Sequence, residues 1–424
     1  MTYTQRHIDL ELDELIPELA AIAIEGPRGV GKTATAEQRA NSAFYLDNPA
    51  HRALAEAEPA HILTSEPPVL IDEWQRVPSI WDAVRREVDS DGSPGRFLLT
   101  GSASPITPPT HSGAGRIVGL RMRPMTLQER GIAIPTVSFQ ELLSQGCGTI
   151  SGSTSFSLKD YVREILSTGF PAIRKLKGKA LRMQLDGYLR RIIDTDFGEQ
   201  GVVVRRPEIL ERWLAAYAAA TSTTASYEAI RDAATGDRGN KPSKPATMPY
   251  RQALQQLWIV DPIPAWLPTR NQLTRLAQPV KHQLADAGLA ARVLGCTISS
   301  LLAGEEPVSY KMRDGKLLGH LFESLVAQNI RAFAQVAEAK VRHLRQHSGR
   351  REIDIIVERQ DQRILAIEVK LNAEITSKDV KNLVWLKERL GDEVVDTVVV
   401  NSGQHAYRRE DGVAVVPAAL LGVI

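Results

Sequence analysis

The first third of the chain alternates short apolar runs with longer polar segments. The apolar runs end near Glu25, Ile71 and Thr100, and residues 32–40 after the first run are good helix formers. Strands that alternate with helices favour a parallel α/β sheet, in which ligands bind at the carboxyl ends of the strands. The pattern therefore predicts an α/β domain over residues 1–145.

The pattern changes twice further along the chain. Helical spacing runs from 158 to about 220, and a Gly/Pro-rich break at 235–245 interrupts a predicted small helical module. From 315 a helix is followed by three apolar runs, 353–357, 364–369 and 394–400, and by a further helix at 378–390. The sequence thus predicts a multidomain α/β chain, with a central helical region at 156–300 and a separate α/β domain at 305–424. The Gly/Ser-rich stretch 146–155 is interpreted as a linker.

Length and charge limit the broad class of the protein. A chain of 424 residues is too long for one ordinary core. Its 52 Lys and Arg residues nearly balance 50 Asp and Glu residues, so no overall positive field indicates nucleic acid. Only two cysteines are present, without metal-ligand spacing, and no apolar segment is long enough to span a membrane. These features predict a cytoplasmic protein without a membrane partner.

A glycine-rich turn follows the first predicted strand and precedes a predicted helix. Its pattern, Gly-x-x-x-x-Gly-Lys-Thr, is that of a phosphate-binding P-loop. Backbone N–H groups and the helix N-terminus favour phosphate there, while the lysine reaches the β and γ phosphates and the threonine hydroxyl binds magnesium. The predicted nucleotide-binding residues are Gly26, Pro27, Arg28, Gly29, Val30, Gly31, Lys32, Thr33 and Ala34.

Two acidic residues end the second apolar run. Asp72 is predicted to hold Mg²⁺ together with Thr33, and Glu73 to act as the catalytic base for water. A lone Asp-Glu pair is more often a solvated strand end. After a P-loop at this distance, the catalytic interpretation is favoured.

Further residues are candidates for contact with the γ phosphate. Thr100 and Ser102 lie at the end of the third predicted strand, where their hydroxyls could contact the γ phosphate. The alternative is that they only make the hydrogen bonds of an ordinary turn. Arg116 follows a glycine-rich turn and is the candidate cation for phosphoryl transfer, in its own chain or in a neighbouring subunit. Arg121 and Arg123 are close competitors for this role.

The C-terminal region contains a second group of acidic residues. Glu368 and Lys370 lie two apart on a predicted strand, so both project from one face. Asp354 lies on the neighbouring predicted strand and would share Mg²⁺ or Mn²⁺ with Glu368. Glu323 lies on the preceding predicted helix. The alternative is that these residues merely decorate the strands.

Positive charge is local rather than global. Residues 342–351 include four arginines ahead of the acidic group, and phosphate contact is their functional interpretation. In the central region Lys241, Lys244 and Arg251 lie near Tyr250, where they either approach a nucleic-acid backbone or simply solvate a loop.

The motifs resemble those of a large family of prokaryotic AAA-superfamily ATP-binding proteins with a C-terminal nuclease-like domain of unassigned function. The resemblance implies an AAA-type parallel sheet, a winged-helix-like unit around 207–267 and a restriction-endonuclease-like C-terminal domain. Glu323, Asp354, Glu368 and Lys370 look like the PD-(D/E)XK nuclease signature. The matching segments are 26–33, 70–78, 96–104, 113–117, 121–125, 161–171 and 282–290.

Two functional hypotheses follow from these patterns. The first is an enzyme that hydrolyses ATP with Mg²⁺ and couples hydrolysis to metal-dependent cleavage of DNA. The second is a nucleotide-dependent regulatory or nucleic-acid-binding protein whose nuclease-like domain is inactive. The sequence leaves the nucleic acid, the pathway and the oligomeric state open.

Overall fold

The computed structural model describes residues 3–102, 113–199, 201, 202, 204, 206–235, 244–269, 278–303, 315–346 and 351–424. In the N-terminal region, five parallel strands form a sheet in the order β2-β3-β4-β1-β5. These strands are β1 (Ala21–Glu25), β2 (Ser42–Tyr45), β3 (Val69–Asp72), β4 (Phe97–Gly101) and β5 (Ile117–Arg121). The predicted parallel α/β arrangement is confirmed.

The N-terminal helices cover this sheet. They are α1 (His7–Leu15), α2 (Lys32–Glu37), α3 (Pro49–Ala57), α4 (Pro59–Leu63) and α5 (Ser79–Ser90). Side chains alternate along β1, so that Ala21 and Ala23 pack in one hydrophobic cluster while Ile22 and Ile24 face another. Burial on both faces explains why the strands read as continuous apolar runs.

The central region is mainly helical, as predicted. It contains α6 (Phe139–Ser144), α7 (Leu158–Ser167), α8 (Pro171–Arg174), α9 (Gly178–Arg191), α10 (Phe197–Glu199), α11 (Pro207–Ala219), α12 (Tyr227–Ala233), α13 (Lys244–Gln256), α14 (Ala287–Val293) and α15 (Ile298–Leu302). One π-helical turn, Ile192–Asp196, joins α9 to α10. Antiparallel bridges then connect Val260 to Leu284 and Ile263 to Lys281. The helices α11, α12 and α13 followed by these bridges fit the winged-helix-like unit expected around 207–267, which stays a prediction.

The C-terminal region is built on an eight-stranded mixed sheet with the order β7-β13-β14-β12-β11-β10-β9-β8. Its strands are β7 (Gly152–Ser153), β8 (Ala265–Trp266), β9 (Lys340–Arg345), β10 (Glu352–Glu358), β11 (Ile364–Lys370), β12 (Val394–Asn401), β13 (His405–Arg408) and β14 (Ala414–Pro417). Helices α16 (Gly315–Val336) and α17 (Ser377–Leu390) belong to the same region. The predicted helix, three strands and second helix are all present.

A short strand corrects the interpretation of residues 146–155 as a linker. Within that stretch, β7 pairs with β13 and so forms the edge of the C-terminal sheet. Slightly earlier, β6 (Val137–Ser138) pairs in parallel with β15 (Leu421–Gly422) near the end of the sequence. The sequence could not reveal this because two-residue strands carry no measurable periodicity.

Candidate functional site

The P-loop lies at the carboxyl edge of the N-terminal sheet. It leaves β1 after Glu25 and enters α2 at Lys32. A Cβ atom at Gly26 would lie 2.2 Å from the carbonyl oxygen of Met122, so the close approach of these two backbones requires glycine. Gly31 caps α2 with a φ of 112°, a conformation that glycine adopts without steric cost. The spacing of the glycines therefore shapes the bend before the helix.

Lys32 is buried inside the bend. Its Nζ atom donates to the carbonyl oxygens of Gly26 at 2.9 Å and Pro27 at 3.0 Å. Burial lowers the pKa of Lys32 to about 8, although the nearby Glu73 and Asp72 carboxylates act in the opposite direction. A phosphate bound in the bend would replace lost hydration with a full negative charge and favour the ammonium form.

Asp72 and Thr33 meet at the same edge. The Thr33 hydroxyl donates to Asp72 Oδ1 at 2.7 Å, and the Thr100 hydroxyl donates to the same oxygen. Thr100 stands opposite Asp72 in the parallel register of β3 and β4, which explains their contact. Burial raises the pKa of Asp72, while the two hydroxyl donors limit this rise. Hydroxyl and carboxylate oxygens at this spacing fit the oxygen ligands that Mg²⁺ prefers.

Glu73 is held in a constrained position beside Asp72. Its φ of 55° places it in the left-handed region, which non-glycine residues adopt infrequently. Ser102 donates to Glu73 Oε1 at 2.9 Å, and Gln75 donates to Oε2 at 2.5 Å. Both carboxylate oxygens are therefore oriented by side chains that follow the strands β3 and β4.

Side chains from the N-terminal segment and from the central region donate hydrogen bonds to the backbone of the P-loop. Arg6 donates to the Val30 carbonyl oxygen at 2.9 Å, and Tyr188 donates to that of Arg28 at 3.1 Å. The Arg28 guanidinium also pairs with Asp196 at 3.0 Å and Glu199 at 3.2 Å. The loop is thus tied to the π-helical turn and α10 of the central region. Sequence reasoning missed these partners because all of them are distant along the chain.

Arg116 lies away from this edge. It precedes Ile117, which pairs with Ala21 at the amino end of β1, whereas the P-loop follows the carboxyl end. Five strand residues separate these levels by about 16 Å. Arg116 instead pairs with Asp89 at 2.6 Å. The arrangement corrects the prediction that Arg116 serves the P-loop of its own chain, while a role in a neighbouring subunit stays a prediction.

The competing arginines form a different contact. Arg121 binds Asp261 Oδ1 at 2.9 Å, and Arg123 Nε lies 3.6 Å from Asp261 Oδ2. Arg331 of α16 adds a bond of 2.5 Å to the same carboxylate. Burial opposes ionisation of Asp261, but the three guanidinium groups outweigh it and lower its pKa. This cluster joins the N-terminal, central and C-terminal regions.

The C-terminal acidic residues converge, but a lysine lies among them. Lys281 Nζ is 2.8 Å from Glu323 Oε1 and 3.1 Å from Asp354 Oδ1, and its side chain is fully buried. Lys370 pairs with Glu368 Oε1 at 2.7 Å. Burial disfavours the Lys281 ammonium, yet the carboxylates of Glu323 and Asp354 outweigh it and raise its pKa. Lys281 was not among the predicted site residues, and the sequence signal for it is weak.

The predicted metal does not fit this second site. Across the described ranges, no group of three His, Cys, Asp or Glu side chains is arranged to hold a metal ion. The second oxygen of Asp354 accepts from the Val369 backbone N–H at 2.9 Å. Both oxygens of Asp354 are therefore already bonded within the protein. The prediction of Mg²⁺ or Mn²⁺ at Asp354 and Glu368 is not supported by this geometry.

Three of the arginines that were predicted to contact nucleic acid make contacts within the protein instead. Arg342 pairs with Glu358 at 2.8 Å, and Arg351 stacks on Trp385 with its guanidinium carbon 4.9 Å from the ring centre. Arg251 stacks on Tyr227 at 4.4 Å. Lys241, the side chain of Lys244 and residues 347–350 lie outside the described part of the structure.

No helix within the described ranges is long and apolar enough to cross a membrane.

A pH dependence of nucleotide affinity follows from the buried Lys32. If the bend binds ATP, as its pattern predicts, the phosphates need the ammonium form, and the dissociation constant for ATP should increase above pH 8, approaching about tenfold per pH unit. Titration calorimetry between pH 7 and 9.5 would measure this change. The Lys32→Ala variant should lack it, and a wild-type affinity that stays flat across this range would contradict the assignment.

Three family models match consecutive parts of the chain. Residues 19–131 match an AAA domain, residues 158–300 match a domain of unknown function (DUF8612), and residues 318–421 match another domain of unknown function (DUF4143). The AAA match coincides with the sheet and the P-loop. It supports a P-loop, ATPase-like function for the N-terminal region.

Similar whole proteins add little about activity. Two uncharacterized proteins, from Mycobacterium bovis and Mycobacterium tuberculosis, are each 25% identical over 304 residues, which cover 70% of this chain and 60% of the relative. The chain thus spans about 60% of the length of these curated relatives. The solved Walker-type ATPase PABY2304 of Pyrococcus abyssi matches 69% of this chain and 96% of its own, with a TM-score of 0.37 and 14% identity.

Proposed function

We propose that this chain binds ATP with Mg²⁺ at the P-loop and hydrolyses it. The observation that carries the proposal is the meeting of Lys32, Asp72 and Glu73 at one carboxyl edge of the sheet. A buried cation, a magnesium-binding carboxylate and an oriented second carboxylate are the groups that phosphoryl transfer to water requires. The AAA domain match over residues 19–131 supports the same conclusion.

Each residue has a defined task in this proposal. Lys32 balances charge on the β and γ phosphates, and backbone N–H groups of the bend bind their oxygens. Thr33 and Asp72 would hold Mg²⁺, which when bound neutralises phosphate charge. Thr100 keeps Asp72 in place through its hydrogen bond. Glu73 accepts the proton of the attacking water, and Ser102 positions that carboxylate.

Glu73→Gln tests the assignment of the base. The amide keeps the shape of the side chain but cannot take a proton, so we expect turnover to fall by about 100-fold or more. The affinity for ATP should change little, because Glu73 does not bind the phosphates. Phosphate release and nucleotide binding would be measured side by side, with the exposed Glu393→Gln as the control. Turnover equal to that of the wild type would reject Glu73 as the base.

For the central and C-terminal regions, we favour regulation by ATP binding over a second enzymatic activity. Arg28, within the P-loop, is bound to Asp196 and Glu199 of the central region, and Tyr188 bonds its carbonyl oxygen. A change in the loop on nucleotide binding would therefore alter contacts with that region. Coupling to DNA cleavage is less favoured because the proposed metal-binding acids are already paired with lysines.

A further inference from the structure

The ammonium of Lys281 lies where the acidic side chains of the C-terminal region converge. It contacts Glu323 Oε1 at 2.8 Å, Asp354 Oδ1 at 3.1 Å and the Asp354 carbonyl oxygen at 3.3 Å. Three oxygens at these distances satisfy the three donors of an ammonium group. Lys281 therefore bonds to the same acidic oxygens that would otherwise bind a divalent cation.

The main chain holds Lys281 in this position. Its N–H donates to the Ile263 carbonyl oxygen at 2.9 Å, and the Ile263 N–H donates back to its carbonyl oxygen at 2.8 Å. Two residues earlier, the carbonyl oxygen of Pro279 accepts a bond of 3.1 Å from His343 Nε2. The side chain is 0% exposed. Lys281 is thus a fixed part of the interior rather than a surface residue that has folded inward.

The Lys281 ammonium opposes a second cation at the oxygens that it binds. Besides Glu323 and Asp354, the Glu352 carboxylate lies 3.9 Å from its Nζ atom. Lys370 pairs with Oε1 of Glu368, whose Oε2 is buried without a hydrogen-bond partner. A divalent ion bound to Glu323 and Asp354 would lie beside the buried ammonium, and the two positive charges would repel each other strongly where water is excluded. Binding the metal would require Lys281 to leave.

We infer that Lys281 replaces the divalent cation of this nuclease-like site, so that the wild-type chain binds no metal through Glu323, Asp354 and Glu368. The lysine comes from residues 158–300, whereas the acids belong to residues 318–421. The internal ammonium therefore also fastens the central region to the C-terminal sheet. This inference does not depend on ATP hydrolysis at the P-loop.

Removal of the ammonium tests the inference directly. Mn²⁺ would be titrated into nucleotide-free protein and followed by electron paramagnetic resonance. The wild type should show no Mn²⁺ binding that depends on Asp354. Lys281→Met, which keeps the length of the side chain without its charge, should gain one Mn²⁺ ion per chain with at least about 100-fold higher affinity, because the repulsion is removed.

Matched variants define the control and the site. Lys378→Met alters an exposed lysine of α17 and should resemble the wild type. The gained ion should disappear again in Lys281→Met/Asp354→Asn. A folded Lys281→Met protein that gains no ion would overturn the inference.

A second variant guards against loss of folding. Lys281→Met/Glu323→Gln removes one charge of each sign and leaves Asp354 and Glu368 as ligands, so it should still gain Mn²⁺. Far-ultraviolet circular dichroism would check the fold of each variant. The wild type decides the matter in any case: Mn²⁺ binding that is lost in Asp354→Asn overturns the inference, and its absence supports it.

Discussion

Lys32→Ala is expected to reduce ATP turnover by at least about 100-fold and to weaken ATP binding. The variant removes the only charged side chain that the P-loop pattern places against the β and γ phosphates. It also removes the bonds from Lys32 Nζ to the carbonyl oxygens of Gly26 and Pro27. Steady-state phosphate release and titration calorimetry with ATP and Mg²⁺ would measure the two effects.

An exposed lysine of the C-terminal region supplies the control for this experiment. Lys378 is exposed at the start of α17, so Lys378→Ala removes the same atoms without touching the P-loop. Its turnover should equal that of the wild type. Turnover in Lys32→Ala equal to that of the wild type would instead reject the P-loop as the site of hydrolysis. This conclusion does not depend on the activity of the C-terminal region.

Asp261→Ala is expected to destabilise the protein by about 3–5 kcal/mol. The substitution leaves Arg121, Arg123 and Arg331 buried together without the carboxylate that binds all three. Their mutual repulsion adds to the loss, and burial already lowers the pKa of Arg123 to about 9. Urea unfolding followed by tryptophan fluorescence would measure the change in free energy.

The position of Asp261 makes the expected loss more than local. Its partners Arg121 and Arg331 belong to β5 and α16, so loss of the carboxylate should destabilise the N-terminal and C-terminal regions in the same unfolding transition. Asp392→Ala, an exposed change near the end of α17, should alter the free energy of unfolding by less than about 0.5 kcal/mol. A similarly small change in Asp261→Ala would show that the three arginines find other partners.

The two acidic sites differ in how their charges are balanced. At the P-loop, the Asp72 carboxylate accepts bonds from the hydroxyls of Thr33 and Thr100, which are neutral. In the C-terminal region, Asp354 and Glu323 bond to the ammonium of Lys281. A neutral hydroxyl can turn toward an incoming cation, whereas an ammonium repels it. Metal chemistry is therefore proposed at the first site alone.

Much of the fold was predictable because local patterns determine it. Apolar runs located β1, β3 and β4, and the glycine spacing located the bend before Lys32. The periodicity of the C-terminal region gave α16 and α17 within a few residues. Short strands such as β7 escaped, since two residues show no period.

The sequence by itself determined the P-loop, the acidic strand ends and the strands that form long apolar runs, because each depends on residues close together in the chain. Only the tertiary structure decided which distant side chains meet. Lys281 is 42 residues from Glu323 and 73 from Asp354, and Arg28 is 168 residues from Asp196. Register likewise placed Arg116 at the amino end of the sheet. Ion pairs form through space, so a pattern that identifies Glu323 and Asp354 cannot reveal the buried lysine that pairs with both.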